Sequence, residues 1–126
     1  MEIEKLKSLY SSHPSVRALK RVLKDNGCQL AAVGGLQASS AALAFVSALD
    51  GVNGPLLFVM DDADEAGYFY HDLVALLGER SVLFFPSSFR RAVRFGQRDA
   101  ASEILRTEVL GRLATGRITK GPLSGN

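Results

Sequence analysis

What most constrains the fold of this chain is a rhythm. Three short apolar runs, at residues 30–33, 56–60 and 81–85, alternate along the chain with longer segments whose apolar residues recur at helical spacing. The middle run, Leu56-Leu57-Phe58-Val59-Met60, shows no polar alternation, which predicts a strand covered on both faces, as in a parallel sheet. Repeated strand–helix pairs with short connections predict βαβ crossovers. The expected fold class is therefore α/β, a three-layer parallel sheet with flanking helices. Three strands fall short of the roughly five or six usual in a sheet, so the sheet is expected to be incomplete.

Start and stop signals place the helices. Residues 3–10 form a short candidate. A second helix starts after Ser12 and His13 with Pro14 in its first turn. Its Val16, Leu19, Val22 and Leu23 share one face, while Arg17, Lys20, Arg21 and Lys24 fall mostly elsewhere, and Asn26-Gly27 closes it. Residues 39–49 carry a stripe of Ala42, Phe45, Val46 and Leu49. Residues 63–77 turn Ala66, Phe69, Tyr70, Leu73, Leu76 and Leu77 inward, and Gly78 ends that helix. Residues 99–114 carry an i,i+4 ladder of Ala101, Leu105, Val109 and Leu113, flanked by Ile104 and Leu110. Leu57, Val59 and Phe69 are expected in the core. Residues 1–117 read as one domain, and residues 118–126, rich in Gly and Ser around Pro122, as a flexible or truncated tail.

With 126 residues, 47% of them apolar, the chain can bury a core without staples. Its formal net charge of +2 is too small to argue for nucleic acid by itself. The distribution says more. Residues 61–79 hold six acids and no Lys or Arg, and residues 89–98 hold four arginines and no acid. Cys28 is the only cysteine, which rules out an internal disulfide, suits a reducing cytosol and is expected to be a buried structural thiol. The N-terminus lacks an apolar leader, and no apolar stretch is long enough to span a bilayer. A cytoplasmic protein without membrane contact is expected.

Four groups of residues bear on chemistry. The first is the turn after the first apolar run, where phosphate-binding loops sit. A working Walker A loop needs a second glycine, a lysine and a hydroxyl after its first glycine. Counted from Gly35, those positions hold Ser40, Ala41 and Ala42. Nothing there can reach a terminal phosphate or hold Mg²⁺, so the expected role is a turn capped by Ser39 or Ser40. The second is Asp61-Asp62-Ala63-Asp64-Glu65. Carboxylates at a strand end can hold Mg²⁺ in phosphoryl-transfer and receiver-like domains; acids opening a helix also interact well with its dipole. The third is His71 within an aromatic cluster, and with it His13; neither has a zinc-like partner set. The fourth is Arg90, Arg91, Arg94 and Arg98, interleaved with Phe89 and Phe95. They could contact nucleic-acid phosphates, pair with the acids at 61–65, or dock on another domain.

Several stretches taken in order resemble the N-terminal, UvrB-like module of the bacterial transcription-repair coupling factor family, in the form found in Bacteroides-type bacteria. They are Gly35-Leu36-Gln37-Ala38-Ser39-Ser40-Ala41-Ala42; Met60-Asp61-Asp62 with Gly67-Tyr68-Phe69-Tyr70-His71-Asp72-Leu73; Val82-Leu83-Phe84-Phe85-Pro86-Ser87-Ser88; and Gly96-Gln97 with Glu103-Ile104-Leu105-Arg106-Thr107-Glu108-Val109-Leu110. The resemblance spans roughly residues 8–114. It implies a degenerate P-loop NTPase or helicase-like domain without catalytic residues or a cofactor of its own. It also implies a parent protein that is an ATP- and Mg-dependent DNA translocase, displaces stalled RNA polymerase and recruits UvrA. The partners implied for the segment are the other domains of that protein. The family's sheet would continue after Arg117, whereas residues 118–126 do not read as a strand.

Overall fold

The structure, a computed structural model, describes residues 2–25, 27, 30–52, 54–87 and 100–116. Among them are five α-helices: α1 (Ile3–Ser12), α2 (Pro14–Lys24), α3 (Ser40–Ala48), α4 (Ala63–Leu77) and α5 (Ala100–Ala114). A short 3-10 turn, Glu79–Ser81, follows α4.

His13 separates the first two helices. Its backbone is extended at φ −68° and ψ 132°, and its Nδ1 accepts a hydrogen bond from the Ser15 N–H at 3.2 Å. Pro14 then occupies the first turn of α2, where its missing N–H costs nothing. The apolar face of α2 packs on α3: Val16 is buried with Ala44 and Ala48, and Tyr10, Leu19, Leu23 and Leu36 close around them. The other side of α3 faces α4. There Ala42 and Val46 are buried with Leu73, flanked by Phe69, Leu76, Leu77 and Val82. The helix α3 is therefore the shared wall of two clusters, and its alanines let both neighbours approach closely. At the end of α4, Gly78 adopts φ +88°, a region that glycine enters without a steric cost.

The expected three-layer parallel sheet is not found: among the described residues there is no strand and no ladder. The helicase-like frame built on such a sheet is corrected with it. None of the three apolar runs is a strand: residues 30–33 are exposed throughout, residues 56–60 lean on the helices through one side, and the third run starts in the 3-10 turn and continues with Val82, Leu83 and Phe84 half-buried. Exposure alternates along the middle run: Leu56 42%, Leu57 87%, Phe58 36%, Val59 84% and Met60 40%. Phe58 is the anchor, its ring 5.3 Å from that of Phe45 and 5.1 Å from that of Phe69, both edge-on. In the third run Phe84 stacks on Tyr70 at 5.4 Å. Leu57 and Val59, expected in the core, are thus exposed, whereas Phe69 packs against the second cluster. The physical reason is the missing second layer. A parallel sheet needs cover on both faces, and here α3 and α4 supply one face while α5 buries no residue.

Candidate functional site

The turn into α3 is built from two left-handed residues and a serine. Gly35 sits at φ +78° and Ala38 at φ +48°, the latter a conformation that costs a non-glycine residue roughly 1–2 kcal/mol. Leu36 between them folds back onto the first cluster. Ser40 closes the turn: its Oγ accepts from the Gln37 N–H at 2.8 Å and donates to the Gln37 carbonyl. Ser39 occupies the cap position without a side-chain bond. Ala41 is half-buried, and Ala42 is completely buried against α4. Position 42 points into the core, so a hydroxyl placed there would face Val46 and Leu73 rather than a ligand.

The acidic stretch opens α4. Asp62 is its cap: Oδ1 accepts from the Asp64 N–H at 2.8 Å and the Glu65 N–H at 2.9 Å. Asp64 and Glu65 fill the first turn, where the positive end of the helix dipole favours acids. Asp61 precedes them, exposed. Asp62 thus has one oxygen committed to backbone donors, and no group of three or more His, Cys, Asp or Glu residues among the described ones is arranged to hold a metal ion.

No family model, curated protein or solved structure matches this chain.

The remaining expected residues are scattered. His71 lies on α4 beside Tyr70, rings 5.6 Å apart, and His13 is occupied as the cap of α2. Gly35, Ser40, Ala41 and Ala42 are local to one turn, and Asp61 and Asp62 to the next helix start. Arg90, Arg91, Arg94 and Arg98 lie outside the described residues, as do Cys28 and the tail at 118–126. Two surface recesses, one along α5 at Glu103, Ile104 and Thr107 and one between α1 and α3 at Lys7, Ser8 and Ser47, include no residue of the turn at 34–42 or of the acidic stretch at 61–65. No helix among the described residues is long and apolar enough to cross a membrane.

The residues that sequence reasoning undervalued are on α2. Arg17, Arg21 and Lys24 are all exposed. The signal was present in their spacing, which repeats one sign of charge at i, i+4 and i+7.

Proposed function

We propose that this chain is a non-catalytic module of a transcription-coupled DNA repair factor. In this reading the parent protein is a cytoplasmic, ATP-dependent DNA translocase that displaces stalled RNA polymerase and recruits UvrA, and this segment holds neighbouring domains. The supporting observation is the turn into α3: Ala41 and Ala42 stand where a nucleotide-binding loop needs a lysine and a hydroxyl, and Ala42 is sealed in the core. The ordered resemblance of the motifs from Gly35 to Leu110 supplies the repair context; the parallel sheet it implied forms no part of the reading. Capping by Asp62 supports a structural role for the acids over Mg²⁺-dependent phosphoryl transfer.

Calorimetric titration with Mg·ATP tests the catalytic half. The expected result is no heat up to millimolar nucleotide, both for the chain and for the Ala41→Lys/Ala42→Thr double variant. ATP hydrolysis that disappears in Asp61→Ala or Asp62→Ala would sink the proposal. The repair half is tested by immobilising the chain and supplying the remaining domains of a transcription-repair coupling factor in trans; retention is expected, and its absence counts against the assignment.

A further inference from the structure

Helix α2 carries a charge arrangement that its own fold does not use. At about 100° per residue, His13, Arg17, Lys20, Arg21 and Lys24 fall within an arc of about 100°. Val16, Leu19 and Leu23 flank that arc, centred about 120° around the helix from it, and pack on α3 and α1. That packing leaves Arg17, Arg21 and Lys24 exposed and Lys20, at the edge of the apolar face, half-buried. The helix contains no acid, and of its four cations Lys20 has a carboxylate partner, Asp50 at 3.4 Å. Asp25, at the C-terminal end, accepts from the Gly27 N–H instead. Arg17, Arg21 and Lys24 are exposed and have no acidic partner among the described residues. Arg17 and Arg21, and Lys20 and Lys24, are like charges at i,i+4, a spacing that destabilises a helix. An external polyanion relieves that repulsion.

We infer that the exposed face of α2 is a docking surface for the phosphate backbone of duplex DNA. The choice of partner follows from what α2 lacks. A membrane-surface helix must offer its apolar face to lipid, and this one is spent on α3. A single-strand platform interleaves aromatic rings for base stacking, and α2 has none. The line from Arg17 to Lys24 runs about 10 Å at 1.5 Å per residue, comparable with the roughly 12 Å major groove of B-form DNA. The deep, narrow groove of an RNA duplex fits it less well. Contacts to phosphate alone make the binding indifferent to sequence and steep in salt. This surface stands on α2 alone, independently of the repair assignment and of Arg90 to Arg98.

The test is fluorescence anisotropy of a labelled 20-base-pair duplex (~20 bp suffices for non-specific contact) against the full chain over a salt series. Expected are micromolar binding at low salt, and about tenfold weaker binding by Arg17→Gln/Arg21→Gln/Lys24→Gln, with the logarithmic salt slope reduced by about 3. The helical circular-dichroism signal of that variant should be unchanged and its melting temperature equal or higher, since the replaced groups are exposed and repel one another. Single variants Arg17→Gln and Arg21→Gln, each weaker than wild type, guard against a folding defect in the triple. Absence of duplex binding overturns the inference. So does full affinity in the triple variant, loss confined to Arg90→Gln/Arg91→Gln/Arg94→Gln/Arg98→Gln, or tighter binding to an RNA duplex or to polyglutamate than to DNA.

Discussion

Helices α3 and α5 start from similar sequence logic and end in opposite circumstances. The nine residues of α3 include five that are buried: Ala42, Ala44, Val46, Ser47 and Ala48. The fifteen residues of α5 include none. The difference lies in neighbours. On one side α3 meets α1 and α2, on the other α4. By contrast α5 is tied to the segment before it through two arginines, Arg106 over the Phe85 ring at 4.9 Å and Arg112 donating to the Arg80 carbonyl at 2.7 Å. Arg112 also pairs with Glu108 at 3.1 Å. One helix is held by excluded water, the other by tethers. Apolar spacing marks a face that can be buried; whether it is depends on what the rest of the chain brings to it.

That contrast can be broken by mutation. Val46→Asp puts an unpaired charge between α3 and α4 and is expected to cost about 4 kcal/mol or more, seen as loss of cooperative unfolding in urea. Leu73→Ala, across the same cluster, should cost about 3 kcal/mol by the same measurement. Phe58→Ala removes two edge-on ring contacts and is expected to cost about 2 kcal/mol; a negligible change would mean the middle run is not anchored to the helices. Asp62→Ala deletes a cap bonded to two N–H groups and should lower the melting free energy by about 1 kcal/mol. The smallest effect belongs to Leu113→Ala on α5, within about 0.5 kcal/mol. If Leu113→Ala matched Leu73→Ala, α5 would have a buried face and the contrast with α3 would collapse.

The helices were legible because their signals are local. Pro14 after His13, the acids before Ala66 and Gly78 after Leu77 are each decided within a turn, and α4 runs over the expected 63–77. The inward face of α2, Val16 with Leu19 and Leu23, follows from spacing in the same way. The sheet was not legible, because pairing is a non-local event. Leu56 to Met60 reads equally as a strand covered on two faces and as a segment leaning on Phe45 and Phe69 through Phe58. Nothing within five residues distinguishes the two. The i,i+4 ladder of α5 failed similarly: Leu105 and Val109 are half-buried, while Ala101 and Leu113 are exposed. At the loop, the missing lysine and hydroxyl could be read directly. That Ser40 rather than Ser39 would close the turn depends on the left-handed Ala38, which a sequence pattern does not announce.

Leu57 and Val59, turned to water on either side of Phe58, also set how the protein behaves in bulk. Wet apolar side chains respond to excluded cosolvents, so these two residues, with Leu30, Tyr68 and Ile104, which are also exposed, lower the sulfate concentration at which the chain precipitates. A lysine at position 57 would raise that threshold while leaving the fold beneath it untouched.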